Sequence, residues 1–222
     1  MEYTLSLALI DFLPVIFTAI GFFFLYRMIT HVNTAQGKVA MLGAVLVVAG
    51  GFFKAIWKLI SASSGADINW MENGLFVWMA PGYVLLAWSV WQTVRTVQSK
   101  KIFNVWVAPV SIAMLTLGFA FYLSSSHSDK WKLVLLIVMV LATIITSILL
   151  ITFAFRGKMT LAGALFIINL ICVFLLSGMA RIPEQTITLQ WIEESINAIS
   201  WLCFAIAAKK VYEYARTNFG VK

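Results

Sequence analysis

The sequence predicts an all-α fold: a polytopic membrane protein in which seven transmembrane helices form one bundle, with the N-terminus outside and the C-terminus cytoplasmic. Of its 222 residues, 62% are hydrophobic and 11% are charged, whereas a soluble domain has about 45–50% apolar and about 25% charged residues. The apolar residues form seven long runs, and most basic residues lie on one side of the predicted bundle. The chain has too few polar residues to cover a soluble globule, so a water-soluble enzyme is excluded.

Seven runs have about the length and composition that a transmembrane helix requires, which is about 20 predominantly apolar residues. The runs are continuous and do not alternate in short segments, which favours helices over the strands of a barrel. The connections between them are short, so residues 1–222 are expected to form a single domain. The predicted spans are residues 5–29, 39–60, 74–94, 103–123, 133–155, 161–182 and 189–212.

Local sequence features support the individual helices in turn. The first run is not expected to be a removable signal peptide, because it lacks a basic segment, contains Asp11 and shows no small-residue cleavage site. Glycines in the second run permit close approach of a neighbouring helix. Pro14 and Pro81 are expected to kink the first and third helices and to widen the space between them. The fourth and fifth runs carry no charged residue, and the fifth is uncharged over the whole of residues 133–155. The sixth stops before Pro183, and the seventh has no lysine between Trp191 and Lys209.

The distribution of Lys and Arg predicts the orientation, because cytoplasmic loops of membrane proteins carry an excess of basic residues. With the N-terminus outside, the inner side has a net charge of +10 and the outer side −3, which accounts for the chain's +7. The net positive charge of the chain is explained by the placement of basic residues on the inner side, where they are attracted to anionic lipid of the inner leaflet. No nucleic-acid partner is therefore expected. The inner basic residues are Arg27, Lys38, Arg95, Lys100, Lys101, Arg156, Lys158, Lys209, Lys210, Arg216 and Lys222.

Charged residues inside the predicted spans gather near the outer surface. Charges in lipid are costly and usually mark a functional site or a buried pair. At about 1.5 Å of rise per residue, all of them lie within roughly 10 Å of the outer boundary, and the inner halves of the spans have no comparable cluster. The candidate ligand-binding or polar-network residues are Asp11, Lys54, Lys58, Arg181, Glu193, Glu194 and Asn197.

Helical spacing places these residues on faces that also carry small or polar side chains. If the bundle closes in sequence order, the first, second and seventh helices are neighbours, and two lysines face three carboxylates across a cavity open to the outside. The expected faces are Asp11, Pro14, Thr18, Gly21 and Leu25 in the first helix; Gly43, Val47, Gly50, Gly51, Lys54 and Lys58 in the second; and Glu193, Asn197, Ser200, Trp201 and Phe204 in the seventh, with Glu194 at the margin.

A purely structural interpretation stays open for part of this set. Lys54 and Lys58 can extend their ammonium groups to the outer headgroups, and Glu193 and Glu194 can be solvated or stabilised by a helix N-terminus. The sequence favours Asp11, Lys54 and Glu193 as the network that faces the bundle interior. It leaves open whether that network binds a ligand or only joins three helices.

Neither an enzymatic activity nor a cofactor is expected. A haem or zinc site would need histidines that can meet, but His31 and His127 lie in loops on opposite sides of the predicted bundle. A retinal pigment would need a lysine near the middle of the seventh helix, and the first lysine there is Lys209, at the inner boundary. The two cysteines have neither a metal-ligand spacing nor the number needed for a disulfide framework.

Three functions are compatible with these observations. The first is a receptor-like protein or sensing subunit that binds a small charged or zwitterionic solute in an outward-open pocket among helices 1, 2 and 7 and signals through a membrane or cytoplasmic protein partner. The second is a small-solute or ion transporter or channel, with a path lined by Thr143, Thr146, Ser147, Asn169 and Asn197. The third is a structural accessory subunit of a membrane complex. In each case we expect the protein to be embedded in the lipid bilayer, and its compact loops favour a bacterial inner membrane.

Overall fold

The computed structural model is helical and describes residues 4–126, 130–179, 182 and 186–219, with the side chains of Asn69 and Glu72 left out. No strand occurs within these ranges. The helices are α1 (Leu5–Ile10), α2 (Phe12–Val32), α3 (Thr34–Ser64), α4 (Asn69–Val97), α5 (Val107–Ser125), α6 (Lys130–Arg156), α7 (Thr160–Met179) and α8 (Ile187–Asn218).

Six helical segments are long and apolar enough to cross a membrane, which supports the expected membrane protein. They are Leu5–Val32, Thr34–Ser64, Asn73–Val97, Val107–Ser125, Lys130–Arg156 and Thr160–Met179. Large apolar side chains cover the outside of the bundle, with Leu115 74% and Phe121 76% exposed, and such a surface suits lipid better than water. The seventh predicted span falls on α8, which is as long as the others but carries glutamates near its start and lysines farther along.

The first predicted helix is interrupted at Asp11, between α1 and α2. The cause is Pro14, three residues after Asp11. Proline has no N–H group, so Pro14 cannot donate the usual helix hydrogen bond to the carbonyl of Ile10. Asp11 bridges the two segments, and its own N–H donates to the Leu7 carbonyl at 3.2 Å. The break therefore leaves a carboxylate at a discontinuity of the helix, on the buried side of the bundle.

The expected loop at residues 31–37 is shorter in the structure, where only Asn33 separates α2 from α3. The Asn33 side chain accepts a hydrogen bond from the Gln36 N–H at 3.2 Å, which caps α3. At its other end α3 continues to Ser64 and stops at Gly65, whose φ of +69° is the left-handed conformation that glycine adopts without strain. The sequence had predicted a shorter helix here because polar residues flank the apolar run.

The fourth predicted span began too early. Residues 103–106 form a loop, and α5 begins at Val107. Gln92 in α4 holds this loop, since its amide donates to the Phe103 carbonyl at 3.0 Å and accepts from the Phe103 N–H at 3.3 Å. Asn104 then accepts hydrogen bonds from the N–H groups of Trp106 and Val107 and starts the helix.

Helices α2, α3, α4, α6, α7 and α8 form a ring in which each packs against the next, and α8 closes the ring on α2. Helix α5 lies outside this ring, against α4 and α6. The expectation that the bundle closes in strict sequence order was therefore wrong at α5, although it correctly made α2, α3 and α8 neighbours. Only Pro109, Ala113 and Ala120 of α5 are buried, because its small residues form a narrow stripe and its large ones face outward.

Helices α2 and α8 run parallel along much of their length. Phe22 packs edge-to-face on Phe204, with ring centroids 5.4 Å apart. Five residues later in α2, the Arg27 guanidinium donates to the Tyr212 hydroxyl at 3.2 Å, near the end of α8. The side of the bundle that holds the starts of α1, α2 and α8 is called here the N-terminal side, and the opposite side the C-terminal side.

Glycine residues allow α3 and α4 to approach closely. A Cβ added at Gly43 would lie 2.7 Å from the Gly82 carbonyl oxygen, and one added at Gly82 would lie 2.8 Å from the Gly43 carbonyl oxygen. Both obstacles are backbone atoms, which cannot rotate away as a side chain does. The glycines of α3 therefore serve the close helix contact that the sequence predicted.

We expect Gly43→Ala to destabilise the protein by about 1–3 kcal/mol, because the added methyl group forces α3 and α4 apart. The matched control is Gly118→Ala in α5, where an added Cβ meets no atom within 4 Å. Thermal unfolding of both variants in detergent micelles measures the difference. Equal melting temperatures for the two variants would contradict the close contact.

Candidate functional site

A buried ion-pair triad joins three helical elements on the N-terminal side. The Lys58 ammonium in α3 lies 2.8 Å from Asp11 Oδ2, at the break between α1 and α2, and 2.7 Å from Glu194 Oε1 in α8. The three side chains are 9%, 9% and 12% exposed. One cation is thus shared by two carboxylates, with almost no water to screen them.

The local sequence positions each member of this triad. Asp11 projects from the helix break that Pro14 causes, and Lys58 lies on the stripe of α3 whose glycines pack on α4. Thr186 caps α8 by accepting from the Leu189 N–H at 3.2 Å, which sets Glu194 in the third turn of the helix. Removing a single partner would leave a buried charge without compensation, and this is far more costly than losing an exposed pair.

A cavity of about 270 Å³ lies beneath the triad, inside the ring of helices. Asp11 and Glu194 form part of its wall, together with Lys54 of α3 and Asn197 of α8. The ammonium of Lys54 is close enough to the carboxylates of Asp11, Glu193 and Glu194 to interact electrostatically. Among the described residues, Lys54 forms no ion pair within 4 Å, unlike Lys58 one turn farther along α3. Lys54 is therefore available to a group inside the cavity.

The cavity extends from the triad toward the middle of the bundle. Along α2 its lining runs from Asp11 to Phe22, and at about 1.5 Å per residue this is a depth of about 16 Å. All six helices of the ring contribute side chains, and no described residue of α5 does. The site is therefore a property of the ring and not of one helix pair.

Neutral polar side chains continue the lining below the charges. The sequence had singled out five such residues, and every one of them lines the cavity: Thr143, Thr146, Ser147, Asn169 and Asn197. The hydroxyls of Thr143 and Thr146 donate to carbonyls one turn earlier in α6, so they offer acceptor oxygens to the cavity but no free hydrogen. The Asn169 amide donates to the Ser200 carbonyl at 3.1 Å and the Ser200 hydroxyl at 2.9 Å, which fixes it against α8.

Aromatic side chains close the cavity toward the C-terminal side. Phe22, Trp201 and Phe204 all line it and pack edge-to-face on one another, with ring centroids 5.3–5.6 Å apart. Tyr83 and Phe166 extend this cluster into α4 and α7. The next layer includes Leu25, Met28 and Val211, which are also buried. The packed rings therefore separate the charged end of the cavity from the opposite half of the bundle.

The structure reverses one preference of the sequence analysis. Asp11, Lys54 and Glu193 were favoured as the network that faces the interior, whereas Lys58 and Glu194 were also compatible with solvated positions near the surface. Lys58 and Glu194 instead pair directly with Asp11, and Glu194 lines the cavity whereas Glu193 does not. Glu193 is half-buried on α8 and interacts with Lys54 only electrostatically. Arg181, the remaining candidate, lies outside the described residues.

Several cavity residues were missed because the sequence search followed charges and small polar groups. Tyr83 is 7% exposed and Met79 lines the wall one turn before it. Both residues lie on or beside the face of α4 that packs against the glycines of α3. Once that helix contact is known, their position one turn apart indicates that they lie near the cavity. Trp201, which the sequence placed on the expected face of the seventh helix, does line the cavity.

Comparison with known proteins gives no assignment: no protein family matches this sequence, and no curated protein or solved structure is significantly similar to it. Among the described residues there is also no group of three or more His, Cys, Asp or Glu side chains that could hold a metal ion. The function is therefore inferred from the geometry of the cavity and the triad.

We expect Lys58→Met to destabilise the protein by about 3–5 kcal/mol, because two carboxylates would be left buried without their shared cation. The triple variant Asp11→Asn, Lys58→Met, Glu194→Gln should recover most of that loss, since it removes all three charges together. Unfolding in detergent micelles, followed by circular dichroism, measures both.

The control is Lys209→Met, which breaks an exposed 3.9 Å pair with Glu213 and should change stability by about 0–1 kcal/mol. If the triple variant is no more stable than Lys58→Met, the two uncompensated carboxylates are not the cause of the lost stability.

Proposed function

We propose that this protein is a receptor-like membrane protein that binds a small charged or zwitterionic solute in the cavity of its helix ring. The observation that carries the proposal is Lys54, a cavity-lining lysine without an ion pair among the described residues, beside a buried triad. Charged groups held in a low-dielectric cleft orient a polar solute and favour its binding. The chain would pass the binding signal to a membrane or cytoplasmic protein partner.

The proposal includes seven spans with the N-terminus outside. The parallel packing of α8 on α2 supports α8 as the seventh span, because two helices in contact along their length cross the same layers. The excess of basic residues on the C-terminal side supports the orientation. The triad and the cavity mouth would then face the outside, and in a bacterium the outside of the inner membrane is the periplasm.

This topology predicts the labelling of single cysteines in a variant that lacks Cys172 and Cys203. Thr188→Cys, at the start of α8, should react with a membrane-impermeant maleimide in intact cells or spheroplasts. Thr217→Cys, at the end of α8, should react only after permeabilisation. Both positions are exposed. Labelling of both from the same side would refute α8 as a span, and the reverse pattern would refute the orientation.

Lys54→Gln should weaken solute binding at least about tenfold, because a charge-assisted hydrogen bond contributes about 1.5–3 kcal/mol. The measurement is binding to the purified full-length protein in detergent, screened by ligand-induced thermal stabilisation with amino acids, amines and carboxylates. The matched control is Lys132→Gln, which removes the same charge from an exposed position on the same side of the bundle.

The two alternatives give different results in this assay. If the unmodified protein binds none of these solutes, and Lys54→Gln only shifts its melting temperature, the charged cluster joins helices and the accessory-subunit function is favoured. Equal weakening by Lys54→Gln and Lys132→Gln would place the binding site elsewhere.

Transport is the second candidate, and the helix break at Asp11 favours it. Many secondary transporters bind their substrates at discontinuous helices near the middle of the membrane. Here the break lines the cavity, and neutral polar residues continue the lining inward. Flux of a bound solute into proteoliposomes that contain only this chain would favour transport, and binding without flux would favour the receptor-like function.

A further inference from the structure

Charged groups of both signs meet at the upper part of the cavity, and the carboxylate of Glu193 also acts on Lys54 from outside the cavity wall. Lys54 and Lys58 carry two positive charges, and Asp11 and Glu194 carry two negative charges; three of these residues line the cavity, and Lys58 is paired to two of them. A ligand with a net charge would change the charge of this site, where burial makes that costly. A ligand with one charge of each sign would leave the balance unchanged.

Available partners for both signs lie at the top of the cavity. Lys54 can receive an anionic group because none of the described carboxylates lies within 4 Å of its ammonium. Glu194 lines the cavity beside Asp11, with whose carboxyl group it interacts. Its oxygen Oε2 is buried and has no N–H donor within hydrogen-bond distance among the described residues, so a ligand ammonium can supply one. Lys54 lies four residues before Lys58, about 6 Å deeper along α3. The two partners are thus on different helices but at the same end of the cavity.

The rest of the cavity is suited to an apolar substituent. Below the charges its walls include Val15 of α2, Val47 and Gly51 of α3, Met79 of α4 and Met139 of α6. Burial of apolar surface against such walls contributes roughly 25 cal/mol per Å². The volume of about 270 Å³ is slightly below the about 300–1,000 Å³ typical of pockets for drug-sized ligands. A small solute with one apolar arm therefore fits, and a peptide does not.

From these observations we propose that the ligand class is a free α-amino acid with an apolar side chain, of the size of leucine or phenylalanine. Its carboxylate binds Lys54, its ammonium binds Glu194 and Asp11, and its side chain extends toward Met79 and the aromatic cluster. This inference rests on the proposed solute-binding function and specifies the substrate of the same site.

The test compares leucine with two analogues that each lack one charged group: 4-methylpentanoate, without the ammonium, and 3-methylbutylamine, without the carboxylate. Binding to the purified full-length protein in detergent is measured by calorimetry. We expect leucine to bind at least about tenfold more tightly than either analogue, since each analogue leaves one buried charged partner without its hydrogen bond. Lys54→Gln should weaken leucine strongly but 3-methylbutylamine little, because the amine has no carboxylate to lose.

A second variant tests the position of the side chain. A Cβ added at Gly51 would make ordinary contacts of 3.4 Å with Val15 and 3.5 Å with Met79, so Gly51→Ala should fold normally while narrowing the cavity near Lys54. We expect it to weaken phenylalanine more than alanine, and to leave the melting temperature of the ligand-free protein unchanged. Lys132→Gln again serves as the unaffected control.

The outcomes separate this inference from the function on which it rests. If either analogue binds as tightly as leucine, or if Gly51→Ala weakens alanine and phenylalanine equally, the amino-acid class is wrong, although a cavity that binds solutes in a Lys54-dependent manner remains. If leucine, phenylalanine, both analogues and the wider set of amines and carboxylates all fail to bind, the proposed function is overturned as well.

Discussion

The cation of Lys58, shared by two buried carboxylates, is the interaction on which the N-terminal half of the bundle depends. It connects the break between α1 and α2 to α3 and α8, three elements that are distant in sequence. In an apolar surrounding each of these charges is unfavourable alone, so the triad is stable only when all three helices are in register. The same constraint fixes Asp11 and Glu194 in the cavity wall, where Lys54 also lies without an ion pair among the described residues.

The two halves of the bundle are built on different principles. On the N-terminal side polar groups surround a cavity, whereas Phe22, Phe204 and buried apolar residues such as Leu25 and Met28 pack together toward the C-terminal side. Close packing of aromatic rings tolerates little rearrangement. Trp201 and Phe204, which line the cavity, belong to α8, the helix that continues to the basic C-terminal side. This continuity offers a route by which occupancy of the cavity could reach a partner.

Several features of the fold were predictable because they depend on periodicity alone. The buried face of α2, from Asp11 through Thr18 and Gly21 to Leu25, follows from the helical repeat. The glycines of α3 indicated a close helix contact but did not identify α4 as the neighbour. The polar lining was indicated by residues that are rare in apolar helices. Pro14 indicated a kink in the first helix, but the sequence did not indicate that the helix is interrupted at Asp11, which lies three residues before the proline.

The sequence by itself determined the class of protein, the long helices and the side of the bundle on which the charges collect, because these depend on composition and on the repeat of a single helix. Only the tertiary structure decided that Lys58 and Glu194, rather than Lys54 and Glu193, pair with Asp11. The helical repeat places Lys54 and Lys58 on one face without fixing the axial register of α3 against its neighbours. Glu193 and Glu194 differ by about 100° around α8, and the packing of that helix on α2 and α7 selects which one faces inward. The exclusion of α5 from the ring has the same origin, since it depends on which helices pack best and not on their order.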